Sequence, residues 1–132
     1  MDAVTDTHSL IWYLEDDPRL GQNASQVFDE CDAGQATVYV PTICLVEILY
    51  LQEKGRISAD LRSRFDAYLH RGDTGLVIVD LTTGVADAMA QVPRDQVPDL
   101  PDRVIAATAL YLGVAVISKD GEIQLASVQT IW

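Results

Sequence analysis

Basic residues are scarce in this chain: 9 Lys and Arg stand against 20 Asp and Glu in 132 residues, a formal net charge of −11. That balance excludes a protein that grips nucleic acid or an anionic membrane through a broad positive surface. No apolar run reaches 18 residues, so no segment reads as a membrane span. Cysteine is limited to Cys31 and Cys44, with no CxxC pair and no His at zinc spacing, and both read as reduced, structural thiols. Gly and Pro number only 8 and 5 against 48% hydrophobic residues, which excludes a disordered or collagen-like chain. The segment Met1–Asp6 is acidic and lacks the basic and long apolar regions of a secretory signal, so a cytoplasmic location is expected.

What is present is an alternation of short apolar runs with longer amphipathic ones, the pattern of parallel strands joined by helices. Strands are expected at Ala3–Thr5, Thr37–Val40, Leu76–Val79, Val114–Ile117 and Val128–Ile131. Helices are expected through Leu10–Leu14, over Ala24–Asp32, from Thr42 as N-cap to Gly55, over Ser58–His70, Thr83–Gln91 and Asp102–Leu112, with a short one from Glu122. One domain spanning residues 1–132 follows, an α/β fold: a three-layer α/β/α sandwich around a mainly parallel five-stranded sheet.

In such folds ligands gather beyond the carboxyl ends of the strands, and four acids stand out there. Asp6 follows the first strand and opens a helix, a position that suits either an N-cap or a site. Glu47 is the only charge in Ile43–Leu51. That helix is apolar almost all round and expected to be sandwiched, where an unpaired carboxylate costs several kcal/mol. The alternative is a solvent stripe shared with Tyr50 and Lys54. Asp102 precedes the small-residue helix face of Ala106, Ala107 and Ala109, and either it or Asp99 is free to cap that helix. Asp120 follows the fourth strand in Ser118-Lys119-Asp120-Gly121, which is also a turn signal. Asp80 ends a strand but is left as a spare. Four gathered carboxylates repel one another unless a cation joins them. All-oxygen ligation points to Mg²⁺ or Mn²⁺, able to orient a water for in-line attack on a phosphodiester.

The segments Val4-Thr5-Asp6-Thr7-His8-Ser9-Leu10-Ile11-Trp12, Val46-Glu47-Ile48, Leu100-Pro101-Asp102-Arg103-Val104-Ile105-Ala106-Ala107 and Ile117-Ser118-Lys119-Asp120 resemble, in order and spacing, the four acidic motifs of the PIN-domain ribonucleases. Within these, the chain is most similar to the VapC-type toxins of bacterial toxin–antitoxin pairs. The resemblance implies a Mg²⁺- or Mn²⁺-dependent endoribonuclease with an RNA substrate, a cognate antitoxin and a homodimeric state. It assigns catalysis and metal binding to Asp6, Glu47, Asp102 and Asp120, with Thr7 and Ser118 as supporting hydroxyls. Arg103, Lys119 and Arg94 are candidates for touching the RNA backbone or the developing charge. His8 is expected to pack or hydrogen-bond at the start of its helix, and Glu122 is left without a role. The competing readings are a non-catalytic PIN-like binding module and a receiver-like phospho-signalling domain. The latter would need paired acids after the first strand and maps only through Asp80 and Lys119.

Overall fold

The computed structural model describes residues 1–120, 123 and 128–132. Five parallel strands, β1 (Ala3–Thr5), β2 (Val38–Pro41), β3 (Leu76–Val79), β4 (Ala115–Ile117) and β5 (Thr130–Ile131), form one sheet in the order β3-β2-β1-β4-β5. The helices are α1 (Thr7–Leu14), α2 (Gln22–Asp32), α3 (Thr42–Glu53), α4 (Leu61–His70), α5 (Thr83–Ala88) and α6 (Leu100–Leu112), with one 3₁₀ turn at Met89–Gln91. From β1 to β3 the chain steps one way across the sheet, and from β3 to β4 it returns past β1. Right-handed crossovers therefore put α1–α4 on one face and α5 and α6 on the other, which is the expected three-layer arrangement. The short helix expected from Glu122 lies, but for Ile123, outside the described residues.

The central strands are short and largely buried on both faces, with Val4, Val38, Val40, Val116 and Ile117 without exposed surface, while the edge strands β3 and β5 are partly exposed. Phe28 and Phe65 fill the layer beside them, and Tyr13 stacks on Phe28 at 4.5 Å between centroids. Cys31 and Cys44 are free and buried among these groups. Gly113 ends α6 in the left-handed conformation at φ 69°, the geometry that favours glycine there. Gly75 has no room for a side chain, because a Cβ would stand 1.8 Å from the carbonyl oxygen of Ala36. No helix among the described residues is long and apolar enough to cross a membrane.

Three local expectations change. Thr42 does not cap α3; it is the first helical residue, and its hydroxyl donates to the Val79 carbonyl at 3.1 Å, tying α3 to the end of β3. The helix expected from Ser58 begins at Leu61, because Ser58 and Asp60 hydrogen-bond each other in a preceding turn. Nor is α3 sandwiched. Cys44 and Ile48 face inward, while Val46, Leu49 and Tyr50 are 43%, 51% and 60% exposed.

A candidate acidic active site

The sheet reverses its winding direction between β1 and β4, and a crevice opens at the carboxyl ends of two such strands. The backbone N–H of Asp6 donates to the Ile117 carbonyl at 3.1 Å, which locks the two strand ends side by side. Asp6 leaves β1 there, and the chain leaving β4 reaches Asp120 three residues beyond Ile117. Glu47 comes from the second turn of α3 and Asp102 from the first turn of α6. All four acids line one cleft of about 480 Å³.

Each acid is held by a local device. Asp6 adopts extended backbone ahead of α1, and its Oδ1 accepts the N–H of Ser9 at 2.9 Å. It is thus both the helix cap and a cleft acid. Thr7, 3% exposed, donates its hydroxyl hydrogen to Glu47 Oε1 at 2.5 Å. Asp120 donates its backbone N–H to Ser118 Oγ at 2.9 Å, a tight polar turn that carries the chain off β4. Asp99 caps α6 by accepting the N–H of Asp102 at 3.2 Å, and Pro101 in the first turn suits the fixed proline φ. The N-terminal ends of α1 and α6 both open at the cleft. Their partial positive charge favours anions there.

The electrostatics register the crowding. Burial, then the charge of Asp99, then a hydrogen bond with Asp120 push the Asp102 carboxyl up to about 8. Glu47 is raised by burial and by the charges of Asp99 and Asp6, while the Thr7 hydroxyl pulls it back down. Two carboxyls joined by a hydrogen bond must share a proton, and that is the position a cation would take. The donor set fits a hard divalent ion: carboxylate oxygens from Asp6, Glu47, Asp102 and Asp120, without a thiolate. Among the described residues no three His, Cys, Asp or Glu already stand in metal-holding geometry.

The remaining expected residues divide. Lys119 lines the cleft, but Ser118 is buried below it and acts through Asp120. Arg103 turns away from the acids; its guanidinium donates to the carbonyl oxygens of Val92, at 2.9 and 3.2 Å, and of Met89, at 3.0 Å. It therefore ties α6 to the segment before it. Arg94 is exposed outside the cleft, and Asp80 accepts from Thr42 instead of joining the acids. His8 is exposed on the cleft wall, not packed inward, with its ring 5.9 Å from that of Trp12. Asp99, Ser9 and Trp12 are cleft residues that sequence reasoning did not assign to the site. The Asp-x-x-Asp spacing 99–102 was the available signal for the first. Glu122 lies outside the described residues.

The profile of the PIN domain family matches residues 3–128. The chain belongs to the PIN domain family. Among curated proteins, this PIN domain is 28% identical over 118 residues to Ribonuclease VapC22 of Mycobacterium tuberculosis, covering 89% of this chain and 86% of that protein. Two solved structures share its fold. A chain of VapBC2 from Rickettsia felis, bound to a DNA fragment from its promoter, superposes with a TM-score of 0.72 at 16% identity over the whole of both chains. A chain of DNA-bound VapBC from Salmonella typhimurium gives 0.68 at 18% identity over 98% of this chain and 96% of that one.

Proposed function

We propose that this PIN domain is a cytoplasmic endoribonuclease, the toxin of a toxin–antitoxin pair, and that Asp6, Glu47, Asp102 and Asp120 hold Mg²⁺ or Mn²⁺ for hydrolysis of RNA phosphodiester bonds. The observation that carries this is the convergence of these acids, from β1, α3, α6 and the chain after β4, on one cleft at the switch point of the sheet. The family and the similarity to Ribonuclease VapC22 support the same activity.

A bound divalent cation supplies positive charge that offsets the phosphate's and eases deprotonation of water. The chain does the rest. Asp6 and Asp102 are the primary ligands, each set at the start of a helix. Glu47, oriented by Thr7, and Asp120, set by the Ser118 turn, would hold the cation as well. Lys119 meets the RNA backbone at the cleft mouth. With its carboxyl raised to about 8, Asp102 is largely protonated near neutral pH without metal, and a cation held there would favour its ionised form.

The apolar surface of α3 supports a protein partner. A groove lined by Ile43, Val46, Tyr50 and Leu51 shares His8 and Glu47 with the cleft. An antitoxin segment that is apolar along its length and carries a Lys or Arg would fill the groove and place that cation among the acids. The working state is a homodimer.

The test is cleavage of structured and single-stranded RNA by purified protein in Mn²⁺, in EDTA, and with Asp6→Asn or Asp102→Asn. Cleavage should appear in Mn²⁺ and vanish in the other three. Metal-dependent cutting that survives both substitutions would overturn the site, and failure to cut any RNA would leave a binding module. Growth arrest on expression in bacteria, relieved by the same substitutions, is the companion measurement.

A further inference from the structure

One wall of the cleft is unlike the others. His8 and Trp12 stand one turn apart on α1, the helix that Asp6 caps, so the acid and both rings share one side of the helix. Trp12 is the one large apolar side chain among the described cleft residues. Its placement is heavily braced. Trp132 meets it edge-on at 5.8 Å between centroids, and the Arg19 guanidinium lies over its ring at 4.8 Å. Arg19 is itself pinned by Asp17 through an ion pair of 2.8 Å. Trp132 is seated in turn: its carbonyl accepts the N–H of Asn23 at 3.0 Å. It also passes so close to Gly21 that a Cβ there would lie 2.6 Å from its backbone carbon. Trp12 is partly buried: it packs against the core and also lines the polar cleft.

We propose that Trp12, with His8 beside it, is a base-stacking wall that receives an unpaired nucleobase next to the scissile phosphate. The inference rests on the ribonuclease reading above and adds to it the residue that selects unstacked RNA. Aromatic rings take bases of any identity, because every base has a π face, and duplex RNA keeps its bases out of reach. A net charge of −11 makes the need acute, since affinity that a basic surface would supply must come from uncharged contact. The Arg19 guanidinium over the ring, itself paired with Asp17, holds the indole in place.

The test uses the full chain with Asp102→Asn, which prevents cutting, and measures binding of a short single-stranded RNA in which 2-aminopurine or an abasic site replaces one base at a time. Bound 2-aminopurine should be quenched at one position, and an abasic site there should weaken binding about 10-fold or more. Adding Trp12→Leu should weaken the unmodified RNA by a similar factor and leave the abasic RNA unchanged. Trp12→Phe should restore most of the affinity. Circular dichroism melting checks that Trp12→Leu is folded. If it is not, His8→Ala, at an exposed position, serves in its place with a smaller loss of the same pattern. Equal loss on abasic and intact RNA, or no loss at all, overturns the wall while cleavage by the unsubstituted protein upholds the ribonuclease reading. RNA that is neither bound nor cut removes both.

Discussion

Thr7 and Glu47, forty positions apart, are joined by a hydrogen bond of 2.5 Å between the first turn of α1 and the second turn of α3. The hydroxyl donates, so it favours the ionised carboxylate against burial and the charges of Asp99 and Asp6. Thr7→Val removes that donor from a buried position at nearly constant volume. Mn²⁺ affinity, read by calorimetry, should fall about 10-fold, the usual cost of losing an outer partner of a metal ligand. Thr7→Ser should keep most of the affinity. Unchanged binding in Thr7→Val would show that Glu47 does not need orienting.

Asp102 carries the pH prediction. Its folded value lies near 8, above an ordinary carboxylate value near 4. The metal-free native state therefore holds a proton that the unfolded chain has released, and stability falls as pH rises through that window. Asp102→Asn removes the titration. In EDTA the variant should match the parent near pH 4 and exceed it by about 1–2 kcal/mol at pH 8.5, after allowance for solvent screening of a half-exposed group. Thermal melts at both pH values measure the difference. Added Mn²⁺ should stabilise the parent and leave the variant unmoved. A variant less stable than the parent at pH 8.5 without metal would contradict the crowding of these acids.

The sequence made some of this legible for definite reasons. Strand ends are written in β-branched runs, and an acid directly after such a run, like Asp6, or one short turn beyond it, like Asp120, has few places to go but the sheet's carboxyl edge. Asp99 was ambiguous because capping α6 and facing the cleft use one and the same geometry. The direction of Arg103 is not legible in the motif, because a helix turns about 100° per residue and the neighbour of a cleft acid on the same helix points elsewhere. Trp12 at four residues from His8 reads as ordinary amphipathic spacing. Only the partners Trp132 and Arg19, distant or exposed, reveal it as a wall. The apolar pattern of α3 says that something covers the helix, not whether its own chain does.

Arg103 supplies a prediction that separates holding from reacting. Its three donated hydrogen bonds end on two main-chain carbonyls, Met89 and Val92, in the segment that leads to Asp99 and α6. Arg103→Ala takes both of its donors from the Val92 carbonyl, while the Met89 carbonyl keeps the Val92 N–H at 3.0 Å, and should cost about 1–3 kcal/mol. Denaturant titration measures it. Well below the unfolding midpoint, KM for RNA should stay within about 2-fold of the parent. A large rise in KM with unchanged stability would instead return Arg103 to the substrate.

Lys119 fixes the salt dependence. It is the one Lys or Arg among the described residues lining the cleft, and beyond the cleft the surface field of a chain at −11 repels phosphates. Single-stranded RNA releases counterions with a slope of about −0.7 per phosphate neutralised. With Lys119 and at most one further cation engaged, log affinity against log monovalent salt should run between about −0.7 and −1.4 at fixed Mn²⁺. Lys119→Ala should flatten it by about 0.7 while Arg94→Ala leaves it alone. A slope several times steeper would mean that RNA crosses a basic surface outside the cleft.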